Sequence, residues 1–239
     1  MADYHRPFAE QLAFFRAKLN LPTERWDDIE REAHDRSFIV AGAKAADLLD
    51  DLNAAVTKAI ADGTGLDAFR KDFRQIVQKN GWTGWTGEGS AAGVAWRTKV
   101  IYQTNMATSY AAGRYQQLTD PDLLAVLPYW QYKHADGVLY PRPLHVAWDG
   151  LTLPPEHPFW QTHFPPGGWG CHCRCIAVPK SDYLKAIAGG KGPASAPAAG
   201  DTQGIDPGFA YTPGASVSAE LRALADAKLV KLPAPIGAA

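Results

Sequence analysis

All three cysteines of this 239-residue chain, Cys171, Cys173 and Cys175, fall within five positions. The thirty residues before them carry His145, Asp149, His157 and His163 among Pro, Gly and Trp, with few aliphatics. Such a segment has little apolar surface to bury and needs a staple to hold its loops. Thiolates side by side repel unless a cation neutralises them, and zinc does so with tetrahedral nitrogen and sulfur ligands. Residues 171–178 read as a strand ended by Pro179, which would put the three sulfurs on one face and His172 and Arg174 on the other. The zinc set this suggests is His145, Cys171, Cys173 and Cys175, with His157, His163 or Asp149 as other donors able to complete it. There is no C-x-x-C pair, so the spacing is not a strong zinc signature. The same residues also fit a polar core without metal, in which the cysteines act as small hydrophobes and His145 donates to loop carbonyls. His5 and His134 stand in turn-like contexts and are given no role.

Three cysteines with no partners elsewhere argue against a disulfide framework. The N-terminus has no hydrophobic signal core and no apolar run is long enough for a bilayer, so a reducing cytoplasm and no membrane partner are expected. Apolar residues at 46% and charged residues at 21% are ordinary for a globular protein. A net charge of −1 gives no global attraction to nucleic acid. Only a local patch such as Arg70, Lys71 and Arg74 could contact DNA, and that patch also fits a solvated helix face.

Periodicity predicts an α+β protein: a helical N-terminal region, then a long central helix packed on a small sheet beside the loop-rich His/Cys segment. Phe8, Leu12 and Phe15 mark a first helix up to Leu21-Pro22. Thr23 is expected to cap a second, holding Trp26 and Ile29. Leu48, Leu49, Leu52, Val56 and Ile60 form a longer stripe ending at Gly63. Thr64 opens the next helix, with Phe69, Phe73, Ile76 and Val77, which Asn80-Gly81 stops. A loop at 82–93 precedes the long helix, where Trp96, Val100, Ile101, Thr104, Ala107, Tyr110, Ala111 and Tyr115 recur at three- and four-residue steps. Its Ala107, Ala111, Ala112 and Gly113 leave room for another element to approach closely. Tyr129–Lys133 alternates as a strand, followed by a turn at Asp136-Gly137. Residues 186–204 read as a flexible linker or draped arm, and 206–214 as turns with two aromatic anchors. A short helix is expected over 216–230. The organisation is thus 1–81 helical, 82–180 the central domain, 181–214 the arm, and 215–239 a helix and tail.

On the long helix, Arg97 and Thr104 share a face with Asn105 at its edge, which suits hydrogen bonding towards the His/Cys loops. Arg114 fits that role and a solvated face equally. His145 and Asp149, four apart, could form an acid–base pair in a metal-dependent enzyme or toxin-like effector. No H-E-x-x-H, G-x-S-x-G or phosphate-cradling loop is present, so no catalytic residue is assigned and the chain is read as a non-enzyme.

The order of these residues resembles the phage Mu protein F-like family of head morphogenesis proteins, also called minor head or minor capsid proteins. The resemblance runs from Arg97-Thr98, Ile101-Tyr102, Thr104-Asn105 and Tyr110 through Arg114 on the helix to Arg142-Pro143-x-His145 and Trp148-Asp149-Gly150. It continues through His157-Pro158-Phe159-Trp160 and Pro165-Pro166-x-Gly168-Trp169-x-Cys171-x-Cys173-Arg174. Gly170 replaces the family's usual Asn, Gly167-Gly168 replaces the preceding Asn-Gly, and Cys175 is additional to the family's cysteine pair. The resemblance implies a virion component of a tailed phage or prophage. It would be made in the bacterial host cytoplasm and lie in the capsid interior near the portal. Its partners would be portal, capsid or scaffold proteins, with packaged DNA as a further contact. A DNA-binding adaptor is the remaining alternative.

Overall fold

The computed structural model describes residues 7–217. The helix expected over 216–230 lies largely outside them.

The N-terminal half is built on aliphatic stripes. Helix α1 (Ala9–Arg16) is followed by strand β1 (Leu19–Asn20), helix α2 (Ala33–Arg36) and strand β2 (Ser37–Phe38). Helices α3 (Ala46–Asp62) and α4 (Leu66–Asn80) then pair as a hairpin, each ending at a left-handed glycine, Gly63 and Gly81. Leu48, Leu49, Leu52, Val56 and Ile60 of α3 meet Phe69 and Phe73 of α4 in one buried cluster, as the stripe predicted. Two expectations fail here. No helix forms around Trp26, and Thr23 caps nothing: its hydroxyl is buried without a partner. The chain instead turns on Asp28, which accepts from the amides of Glu24 and Arg25, and returns as β2 to pair in parallel with β1. Helix α4 begins at Leu66 with Gly65 as its N-cap, while the Thr64 carbonyl accepts from the Tyr102 hydroxyl.

Helix α5 (Ala91–Leu118) starts where the Ser90 hydroxyl accepts from the Gly93 amide and serves both halves. Ile101 belongs to the N-terminal cluster, whereas Ala111 and Leu118 belong to the second one. The boundary drawn at residue 82 thus precedes a helix shared by two cores. The small residues of α5 are where α1 crosses: a Cβ on Gly113 would lie 2.7 Å from the Gln11 amide nitrogen.

After α6 (Pro121–Val126), capped by Asp120, the texture becomes aromatic. Strand β3 (Tyr129–Lys133) is the middle of a three-stranded antiparallel sheet, flanked by β4 (Thr152–Leu153) and β5 (Arg174–Val178). Its alternation buries Trp130 and Tyr132, as expected. Between the strands lie two five-residue helices, α7 (Pro143–Ala147) and α8 (Phe159–His163). The second strand predicted over 171–178 is shorter than expected, because the loop through Gly168 and Gly170 releases Cys171 and Cys173 from the ladder. Helix α9 (Lys180–Ala188) takes up the start of the expected linker. The rest is a docked arm: the Lys191 carbonyl accepts from the Thr152 amide at 2.8 Å, and Phe209 and Tyr211 are buried anchors. Asp35, itself buried, accepts from the Gly214 amide and the Ser216 hydroxyl, each at 2.9 Å, and joins the arm to the N-terminal half.

Candidate functional site

Three segments far apart in sequence converge at the end of β3. Pro143 begins α7 and puts His145 on its buried side, where the imidazole stacks on Trp148 at 5.2 Å and meets the edge of Tyr132 at 6.2 Å. The loop 165–173 brings Cys171 and Cys173 to the same imidazole. His145 Nδ1 lies 3.6 Å from each sulfur. The donor atoms of His145, Cys171 and Cys173 all lie within 4.8 Å of one another.

Two glycines make the convergence possible. The His145 Nε2–H donates to the Gly204 carbonyl of the arm at 2.9 Å, fixing the tautomer with Nδ1 unprotonated. A Cβ on Gly204 would lie 2.8 Å from Leu144 Cδ1. Gly168 is held more tightly: its Cβ would fall 2.1 Å from Arg142 Nη1 and 2.3 Å from Asp206 Oδ2. Those two groups are the clamp on the cysteine loop. Arg142 donates to Asp206 at 2.7 Å and to the Trp169 carbonyl at 3.2 Å, while Asp206 accepts from the Trp169 amide at 2.9 Å.

The two sulfurs are electrostatically unlike. Cys173 is pushed well below the usual thiol range, above all by the Cys171 thiol donating to it. Cys171 is pushed up by the same shared contact and by burial. Two adjacent sulfurs resist carrying two negative charges, so ionisation of both needs a positive partner. The Tyr132 hydroxyl is buried, with no hydrogen-bond partner at normal distance.

The structure brings together His145, Cys171 and Cys173 of the expected ligands and leaves Cys175 out. Cys175 sits on β5, 4% exposed, in the aromatic cluster. Burial holds its thiol protonated. The expectation that alternation would align all three sulfurs fails because only Cys175 lies in the strand. His134, given no role from sequence, lies against one of the two sulfurs: its Nδ1 is 3.4 Å from Cys173 Sγ. The signal was available, since His134 continues the Trp130, Tyr132 alternation, but the turn at Asp136-Gly137 obscured it.

The other candidates are structural pins. Asp149 accepts from the His134 amide at 2.8 Å and from Lys133 Nζ at 3.2 Å. His157 Nδ1 accepts from the Phe159 amide at the start of α8. His163 is buried and stacked on Phe159, away from the sulfurs. Arg97 reaches back to the Ala41 carbonyl rather than towards the cysteine loop. Thr104 and Asn105 line a cavity of about 110 Å³ with Trp26 and Trp169. Arg114 donates to Gln117 and borders a cleft of about 420 Å³ that also touches the three cysteines and the exposed Arg174.

A family model, phage Mu protein F like protein, matches residues 50–176, more than half of the chain. The chain is 36% identical over 181 residues to "Putative capsid assembly protein F" of Escherichia phage Mu, covering 72% of this chain and 40% of that protein. It is 36% identical over 166 residues to the "Mu-like prophage FluMu F protein" of Haemophilus influenzae, covering 67% of this chain and 39% of that one. It thus spans about two-fifths of the length of these relatives. No solved structure matches. The matched region holds α5, β3, β4, the start of β5 and the whole convergence of His145, Cys171 and Cys173, and the chain belongs to the phage Mu protein F-like family.

Proposed function

We propose that this chain acts in assembly of a tailed-phage or prophage head, as a minor component that docks on portal and capsid proteins inside the procapsid. The observation that carries this reading is the family match across 50–176, together with a relative whose name is that of a capsid assembly protein. The surface supports it. Leu139 and Tyr140, on the loop between β3 and α7, are 81% and 85% exposed, as docking side chains are before a partner covers them. Among the described residues no helix is long and apolar enough to cross a membrane.

The geometry gives the enzyme alternative little support. Both nitrogens of His145 are committed, one to the Gly204 carbonyl and one to the sulfurs. Asp149 is committed to Lys133 and the His134 amide. Neither is placed to move a substrate proton. The DNA reading is weakened at one of its three cations: Arg70 is paired with Asp67 at 2.9 Å and donates to Thr98, while Lys71 and Arg74 are exposed.

The test is affinity capture of the tagged chain from cells assembling heads. Portal or capsid protein should co-purify, and the chain should remain with DNA-free procapsids through a gradient. Recovery of the chain only as a free species, with neither protein attached, would refute the assembly reading.

A further inference from the structure

We propose that the His/Cys convergence is a structural zinc site, in which His145 Nδ1, Cys171 Sγ and Cys173 Sγ ligate one ion and His134 Nδ1 supplies the fourth donor. Four observations carry it. The first is spacing. Neighbouring nitrogen and sulfur ligands of a tetrahedral zinc, at bond lengths of about 2.0–2.3 Å, lie about 3.5 Å apart. His145 Nδ1 stands 3.6 Å from both sulfurs, and His134 Nδ1 stands 3.4 Å from Cys173. The second is the shape of the contact. One imidazole lone pair accepts a single S–H, yet His145 Nδ1 stands at the same distance from two sulfurs, an equal sharing that a hydrogen bond does not require and a common cation does. A cation between the three atoms satisfies all of them.

The third observation is the orienting bond. Histidines that bind metal generally donate their other N–H to a carbonyl or carboxylate, and His145 Nε2–H donates to Gly204 at 2.9 Å. The fourth is the orphaned Tyr132 hydroxyl, 1% exposed, which gains an acceptor if Cys173 is a metal-bound thiolate. His134 meets the group through Cys173. It is half-buried at the edge of the loop, so rotation about its own side-chain bonds can close the set. Its main chain is already pinned by Asp149. Cys175 is excluded by its place among the rings. With two thiolates and two imidazoles no position is open, which makes the ion a bolt joining β3, α7 and the cysteine loop rather than a catalyst.

The full chain, purified under reducing conditions without chelator, should carry one zinc per chain by elemental analysis. After stripping, cobalt(II) should give intense tetrahedral d–d bands and a thiolate-to-cobalt charge-transfer band. Cys171→Ser, Cys173→Ser and His145→Ala should lose the zinc, and Cys175→Ala should keep it. His134→Ala should weaken zinc binding by about tenfold or more, in the range that loss of supporting interactions already produces. A folded chain whose cobalt spectrum shows neither feature overturns the proposal, and that spectrum decides the matter even where the serine variants fail to fold. Stoichiometric zinc persisting in Cys171→Ser or Cys173→Ser overturns it as well. Undiminished affinity in His134→Ala overturns the fourth ligand.

Discussion

The two cores of this molecule are held by different physics. Around α3 and α4, aliphatic and phenyl side chains bury one continuous stripe. Around β3, Trp130, Tyr132, Trp148, Phe159, Trp160 and Phe164 pack edge to face, and the loops between them hang on single bonds to carbonyls and carboxylates. Area burial is non-directional and tolerant, so the first core depends on volume. The second depends on geometry, because rings and buried polar pins must meet at set angles and distances. It follows that the two halves should fail in different ways.

The largest expected effect is in the tolerant half. Phe73 is 1% exposed and touches Phe69, Trp82 and Trp85. Phe73→Ala should cost about 3–5 kcal/mol, the price of a lost ring and the cavity left behind. Denaturant titration should show it, with no change at the cysteine loop. If Phe73→Ala alters zinc content or thiol reactivity in the folded protein, the halves are not as separate as drawn.

Next comes a single methyl in the geometric half. Gly168→Ala places a Cβ inside the Arg142–Asp206 clamp, at 2.1 and 2.3 Å. Backbone and clamp cannot both stay, so Asp206 should release the Trp169 amide and the arm should lift from the loop. The expected cost is about 2–3 kcal/mol, from overpacking and lost charged hydrogen bonds. Hydrogen exchange should quicken at residues 165–173 and 204–209 while α3 and α4 keep their protection. Uniform loss of protection across both halves would contradict the local account.

The same division decides what the sequence revealed. A period of 3.6 in α3 and α4 reports burial directly, so these helices and their glycine stops were legible. Helix α5 and the close crossing at Gly113 were legible too, but the stripe on α5 was not: Trp96 and Tyr110 are exposed while Arg97, Thr98 and Ser109 are buried, because the helix packs into two cores. Alternation reported burial in β3. Helices of five residues such as α7 and α8 are too short to show a period, and the two-residue strands β1 and β2 pair across a gap that carries no pattern. The site was half legible. His145, Cys171 and Cys173 announced themselves by residue type. Beyond the Asp206 carboxylate, the arm's contribution comes from carbonyls of Lys191 and Gly204, and a carbonyl has no residue identity to read. Cys175 was misplaced because alternation was run backwards past Arg174, where the ladder stops.

The smallest effect is acid lability, and it divides between the halves. His163, in the aromatic half, is lowered to about 4 by burial above all; His34, in the other, is lowered to about 4 by burial and then by the Lys18 charge. Both are neutral when folded, whereas the unfolded chain protonates them near 6.5. The stability they contribute is therefore complete above pH 6.5 and declines as the pH falls from 6.5 towards 4. Each should account for about 1–2 kcal/mol of that decline. His163→Phe isolates the aromatic share. His163 Nε2 has no partner to lose, and the Nδ1 contact is to the neighbouring Thr162 hydroxyl at 2.7 Å. The ring already stacks on Phe159 at 4.5 Å, so a phenyl ring should fit at the cost of that one hydrogen bond. Melting temperatures across that pH range should fall less steeply in the variant than in the parent chain, with His34→Gln flattening the remaining slope. An unchanged slope in His163→Phe would mean that the ring is hydrated in the folded state, and that the aromatic core is less tightly closed than its geometry requires.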